Sequence, residues 1–230
     1  MKVGTDALLL GAWAGRHWGT EEPLRVLEIG AGSGIVSLML AQRFPNAQFV
    51  GIEIEENAAQ QASENVRASP FRDRVDIVHA DFLNWAGAFA ATKWDWVVSN
   101  PPFFKNKPKS PDPARNLARH EDAMPLVQWM PAATRLLDGR GVVSLVWPLE
   151  RLADWNEMVQ TTGFSPLSTL WIRGSSQQPP ERGVLEIARD VSRAAEHFLS
   201  IDDLPVSQTG GIAVRTHEYK DLVRPFLIHV

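Results

Sequence analysis

Val26-Leu27-Glu28-Ile29-Gly30-Ala31-Gly32-Ser33-Gly34 decides the fold. A short apolar run meets three alternating glycines. Ile35, Val36, Leu38, Met39 and Leu40 then recur at helical spacing, and Pro45 closes the helix after Phe44. Glycine lets the backbone turn tightly and approach a ligand closely. The helix start offers free N–H groups to an anion. A dinucleotide fingerprint needs glycine at the sixth position of such a loop, and Ile35 stands there. A P-loop needs a Gly-Lys-Ser/Thr ending, which is absent.

Working outward, the same alternation continues. Arg25 to Ile29 reads as a buried strand and Gly34 to Phe44 as its helix. Ala47 to Ile54 is the next strand, Glu55 to Ala68 a helix, and Arg74 to His79 and Trp94 to Ser99 further strands. Ala123 to Leu137 reads as a helix, Gly141 to Trp147 as a strand, and Leu149 to Thr161 as a helix. This rhythm predicts an α/β fold with a mostly parallel sheet and helices on both faces. Ligands in such sheets sit at the carboxyl ends of the strands. After Thr162 the pattern changes. Pro166 to Arg173 and Gly183 to Arg189 read as two strands joined by the Ser175 to Glu181 loop, which predicts an antiparallel edge. His217 to Ile228 reads as a last helix broken by Pro225.

The bulk composition excludes several classes. At 230 residues, 44% hydrophobic and 22% charged, the chain suits one globular domain. The absence of cysteine removes disulfides, thiolate metal sites and cysteine nucleophiles. A net charge of −4 gives no global basic field, so a nucleic-acid partner needs a local patch. Ala7 to Gly15 is apolar and follows Lys2, but Asp6 precedes it and no cleavage site follows. A short helix capped by Thr5 or Asp6 explains it better than a signal peptide. No apolar run approaches a membrane span, and the cytoplasm is the expected location.

The ends of the first three strands each bear an acid, in order. Glu28 lies two residues before the first glycine, a spacing that suits S-adenosylmethionine, whose methionine end carries one carboxylate and one ammonium. Glu28 answers the ammonium, directly or through water, and the loop N–H groups answer the carboxylate. Glu53 ends the second strand, where a ribose hydroxyl pair lies in related folds. Asp81 follows the third, placed to accept from the adenine amino group or to cap the following helix.

Asn100-Pro101-Pro102-Phe103 follows the fourth strand. Consecutive prolines stiffen a loop and expose backbone carbonyls. Asn100 adds a side-chain carbonyl acceptor. Two acceptors on one NH2 group hold both hydrogens and turn the nitrogen lone pair toward an electrophile. Phe103 gives a planar group a flat apolar face. Such a site works by position and electrostatics, without a strong base. Other signals fail: His120-Glu121 lacks the second histidine of HExxH because Met124 stands there, and no metal site is expected. Ser33 and Ser37 lack a nucleophile elbow. Of nine tryptophans, Trp94, Trp96 and Trp147 fall on strands and are expected in the core.

Met1-Lys2-Val3-Gly4-Thr5-Asp6 through Leu10-Gly11-Ala12-Trp13, the glycine loop and the Asn-Pro-Pro-Phe tetrapeptide together resemble the bacterial tRNA1(Val) adenine N6-methyltransferase family. The resemblance covers most of the chain and is sharpest from Lys2 to about Arg119. It implies a class I methyltransferase fold: a Rossmann-like three-layer sandwich on a seven-stranded, mostly parallel sheet with an antiparallel edge strand. It implies S-adenosylmethionine as cofactor and, as substrate, the adenine 3′ of the anticodon in tRNA. It further implies that Lys2, Thr5 and Asp6 line the cofactor pocket. Glu28, Gly30, Gly32, Gly34, Glu53, Asp81 and Asn100 match the cofactor pattern, with Asn100, Pro101, Pro102 and Phe103 catalytic. Family members usually carry a segment before the Lys2 stretch, which here opens at Met1. They commonly have tyrosine where this chain has Phe103; stacking survives that change, the phenol hydroxyl does not. One domain over 1–230 is expected, with a cofactor half up to about residue 103 and a target-recognition half from 104.

The resemblance leaves rivals. A protein glutamine side chain presents a similar planar NH2 group, and ribosomal RNA bases are targets of related enzymes. A non-catalytic binder would keep the fold alone, and a dinucleotide oxidoreductase is disfavoured by Ile35. Lys105, Lys107, Lys109, Arg115 and Arg119 face only Asp112 between Phe103 and His120, which makes that loop the expected phosphate contact and favours RNA.

Overall fold

The structure is a computed structural model that describes residues 4–101, 126–208 and 213–227. Within these residues one sheet runs through the molecule in the order β3-β2-β1-β4-β5-β7-β6-β8. The strands are β1 (Arg25–Ile29), β2 (Gln48–Glu53), β3 (Val75–His79), β4 (Trp94–Ser99), β5 (Leu137–Pro148), β6 (Ser165–Ser175), β7 (Arg182–Ala188) and β8 (Ala195–Asp202). The helices are α1 (Thr5–Trp13), α2 (Ile35–Arg43), α3 (Glu56–Ala68), α4 (Phe82–Ala88), α5 (Leu126–Leu136), α6 (Leu152–Thr162) and α7 (His217–Val223).

The inner parallel strands β1, β2 and β4 are nearly continuous in burial because helices cover both faces. On one face Leu10, Trp13, Val36, Leu40 and Val223 bury α1, α2 and α7 against Val26, Trp96, Val142 and Val184. On the other, Phe82, Trp129, Met130, Trp155 and Val159 bury α4, α5 and α6 against Leu27, Val97, Leu145 and Leu185. Trp94, Trp96 and Trp147 are core residues, at most 4% exposed.

Two features differ from expectation. The sheet has eight strands, not seven, and its antiparallel strand is internal. Strand β7 pairs antiparallel with both β5 and β6, whereas β8 closes the edge in parallel with β6. The α6 crossover leaves a gap one strand wide between β5 and β6, and the hairpin back from β6 fills it. Strand β8 escapes the sequence pattern because Ala195, Glu196, His197 and Phe198 are all exposed and show no half-buried alternation.

The apolar stretch near the amino end is the buried helix α1. Gly4 caps it, with no side-chain cap; Thr5 and Asp6 stand in its first turn. Asp6 is instead engaged by Arg182 at the start of β7, with Nε 2.5 Å from Oδ1.

Past the end of α1 the chain reverses at Gly15, whose φ is +76°. Its N–H donates to the buried Glu186 Oε1 at 2.8 Å. Ser144 Oγ donates to the same oxygen at 2.7 Å and accepts from Trp96 Nε1 at 2.8 Å. This network ties α1 to β4, β5 and β7. A Cβ on Gly15 would lie 2.3 Å from the Trp96 ring. Gly15→Ala therefore combines a left-handed backbone with a clash against a fixed indole, and should cost about 2–4 kcal/mol. Urea unfolding checks this: a midpoint equal to wild type would mean that the turn and ring move apart freely.

Candidate active site

The strand order reverses between β1 and β4, the switch point where open α/β sheets bind ligands. The registers align the strand ends there: Ile29 sits opposite Ile52 and Ser99, and Glu53 opposite His79. Ser99 Oγ donates to the Ile29 carbonyl at 2.8 Å, fixing the end of β4 to that of β1. The glycine loop after β1 and Asn100 after β4 thus leave the sheet side by side.

Gly30, Gly32 and Gly34 have φ of +73°, +56° and +76°. The loop needs three left-handed residues within five positions, which L side chains resist. Its N–H groups are largely used within the fold. Those of Gly30 and Ala31 donate to the Ile52 carbonyl at 2.8 and 3.0 Å, and that of Gly34 to the Ala31 carbonyl at 2.8 Å. Gly32 donates to Glu53 Oε2 at 2.7 Å. Those four amides, which the sequence reading offered to a ligand carboxylate, have partners within the fold. The second strand takes three of them and the loop itself the fourth.

Glu53 is buried, and its other oxygen accepts from the Glu55 N–H at 2.9 Å. Asp81 caps α4, its Oδ1 accepting from the Asn84 N–H at 2.9 Å, which leaves Oδ2 for another donor. Glu28 is almost wholly enclosed. Its Oε2 accepts from the Ser37 N–H at 3.0 Å and from the Ser37 hydroxyl, so it clasps the first turn of α2 to β1. Asn100 is half-buried, Pro101 buried, and the buried Oδ1 of Asn100 has no donor. A buried carbonyl without a donor is costly unless a ligand supplies one. That orphan acceptor, beside the glycine loop on the same sheet edge as Glu53 and Asp81, fits a nucleoside-bearing cofactor and an amine substrate.

Among the described residues no group of His, Asp or Glu side chains is arranged to hold a metal. Lys2, Pro102, Phe103, Lys105, Lys107, Lys109, Arg115 and Arg119 lie outside the described residues. Thr5 is exposed and Asp6 is ion-paired. The sequence reading missed the Asp6–Arg182 pair, because the β7 register that brings them together leaves no local signal.

Burial pushes the Glu28 carboxyl up from 4.5 to about 8, with Ser37 opposing. The folded protein therefore keeps a proton between about pH 4.5 and 8 that the unfolded chain releases. Stability of the ligand-free protein should fall as pH rises through that window, by at most about 1.4 kcal/mol per pH unit from this group. Glu28→Gln should flatten the slope. Equal pH profiles for the two proteins in urea unfolding would contradict this.

The Methyltransferase small domain family matches residues 9–124. A tRNA1(Val) (adenine(37)-N6)-methyltransferase from Porphyromonas gingivalis is 38% identical over 228 residues, 98% of this chain and 88% of the relative. One from Flavobacterium johnsoniae is 36% identical, over 99% of this chain and 93% of the relative. Among solved structures, one described as a predicted O-methyltransferase from Agrobacterium tumefaciens superposes with a TM-score of 0.70 at 19% identity, covering 96% of both chains, which supports the fold alone. With likeness at this level over nearly the whole length, the chain belongs to the tRNA1(Val) (adenine(37)-N6)-methyltransferase family.

Proposed function

We propose that this protein transfers a methyl group from S-adenosylmethionine to N6 of the adenine 3′ of the anticodon in tRNA1(Val), in the cytoplasm. The observation that carries the chemistry is the buried, donorless Asn100 carbonyl at the switch point. Relatives spanning the whole chain are named for adenine, which favours a base over a glutamine side chain. Among the described residues no helix is long and apolar enough to cross a membrane.

S-adenosylmethionine, when bound, supplies an electrophilic methyl group. The residues up to about 103 hold it. Gly30, Gly32 and Gly34 admit it to the backbone, Glu53 accepts from its ribose, and Asp81 accepts from its adenine amine through the free oxygen. Glu28 answers the ammonium, directly or through water, giving up the proton that burial leaves on it when the cation arrives, and Lys2, Thr5 and Asp6 close the methionine end. Residues from 104 onward receive the RNA.

Asn100 Oδ1 and a backbone carbonyl of the proline pair accept the two hydrogens of the target NH2. That turns the nitrogen lone pair toward the methyl. The nitrogen gains one bond to carbon as the sulfonium–methyl bond breaks to leave S-adenosylhomocysteine, and it sheds one proton to solvent. Phe103 stacks on the flipped adenine. Lys105, Lys107, Lys109, Arg115 and Arg119 hold its phosphates.

Asn100→Ala should lower turnover about 100-fold or more, with cofactor affinity within a few-fold of wild type. Tritiated methyl transfer to tRNA, rRNA and protein, beside calorimetry, tests this, and normal turnover in the variant would refute the mechanism. Phe103→Tyr should stay active, whereas Phe103→Ala should lose about 1–3 kcal/mol of base binding.

Charge reversal at Lys105, Lys107 and Lys109 should weaken RNA binding and leave cofactor affinity alone. The log–log salt slope should drop by about one unit for each phosphate that is no longer neutralised. Methylation of a glutamine-containing peptide at a rate untouched by the reversal would move the substrate to protein.

A further inference from the structure

Across the antiparallel half of the sheet, four residues share one level. Trp147 on β5 sits opposite Gly183 on β7, Gly183 opposite Trp171 on β6, and Trp171 opposite Phe198 on β8. Strand alternation puts them on the face covered by α4, α5 and α6. Cover runs out along the row. Trp147 is 2% exposed, Trp171 is half-buried, and Phe198 is 52% exposed. Gly183 makes room for the indole beside it: a Cβ there would lie 3.1 Å from Trp171 Cε3. Glu196, one step back along β8, brings an oxygen to 3.4 Å from Trp171 Nε1.

The row also lies at the height of the catalytic loop. Ser99 is level with Leu145, Leu185, Thr169 and Glu196 across the strands, so Trp147, Trp171 and Phe198 are two residues further on, at the height of Pro101. Strand spacing puts Trp171 roughly 14 Å and Phe198 roughly 19 Å from β4 across the sheet. One step toward the carboxyl edge, Arg173 donates through Nε to Ser200 Oγ at 2.9 Å and has no ion-pair partner among the described residues.

We infer that Trp171 and Phe198 form a stacking platform for an unpaired base of the RNA, a few nucleotides from the target adenine, with Arg173 facing the intervening phosphates. This rests on the RNA reading above. A large exposed aromatic beside a second one on an open sheet face suits a flat π-surface, and every base presents one. The cation lies on the side of the pair toward the carboxyl edge, where the phosphates of a strand leading to Asn100 would run. The carboxylate of Glu196 lies on the opposite side.

The test is equilibrium binding of transcribed tRNA1(Val) to Phe198→Ala and Trp171→Ala, with kcat, KM, cofactor affinity and thermal unfolding measured alongside. Each variant should raise the RNA Kd and KM about 5-fold or more. At saturating RNA, kcat and cofactor affinity should match wild type, and Phe198→Trp should restore binding. Phe198 is exposed, so its variant decides the matter if Trp171→Ala unfolds. Wild-type RNA affinity in Phe198→Ala would overturn the platform. If Asn100→Ala loses turnover in the same series, that failure belongs to the platform alone. A wild-type protein that neither binds nor methylates RNA would remove the platform and the RNA reading together.

Discussion

The carboxylate of Glu53 holds two chain reversals at once. One oxygen takes the Gly32 N–H at 2.7 Å and the other the Glu55 N–H at 2.9 Å. The end of β2 thereby shapes the loop after β1, and the Ile52 carbonyl reinforces it by receiving Gly30 and Ala31. Three left-handed glycines would otherwise be a costly, loose turn. A carboxylate has about four lone-pair directions, so two remain after these bonds. The group that sets the loop keeps room to receive a hydroxyl pair, so the ribose contact proposed above would couple loop shape to ligand recognition through one side chain.

Most of the parallel half was legible because its signals are local. Strands β1 and β4 coincide with Arg25–Ile29 and Trp94–Ser99, and helix α2 follows Gly34 closely. A continuous apolar run between glycines and prolines admits few readings when both faces are buried. The acids and Asn100 stand out in the sequence for the same reason: each lies within two residues of the end of a strand, and a parallel sheet gathers strand ends at one edge.

What was not legible depends on long-range pairing. The position of β7 inside the sheet, and β8 beyond β6, follow from which gap a returning hairpin fills, and no residue spacing encodes that. The Asp6–Arg182 pair spans most of the chain and exists only once β7 is in register. Glu186 is a similar case. Its carboxylate reads as one charge in an apolar strand, yet it closes a network from Gly15 to Trp96. The fate of the loop amides was missed because sequence shows that a glycine loop can donate, but not that the neighbouring strand has already taken the donors.

Charge placement joins the fold to its substrate. The chain is net acidic, and its long-range field opposes a polyanion. Several arginines in the described fold are already neutralised or turned inward. Arg151 pairs with Asp154, Arg182 with Asp6 and Arg215 with Asp202, while Arg43 and Arg74 donate to backbone carbonyls. On the RNA reading proposed above, phosphate attraction comes from the remaining cations and from the lysine-rich stretch after Phe103. Counterion release scales with the phosphates neutralised, so that part of the grip is shared by RNA in general. Stacking on aromatic faces is less dependent on salt and requires bases already out of the helix. The stacking proposed for Phe103, Trp171 and Phe198 would thus bias an acidic protein toward loops over duplexes.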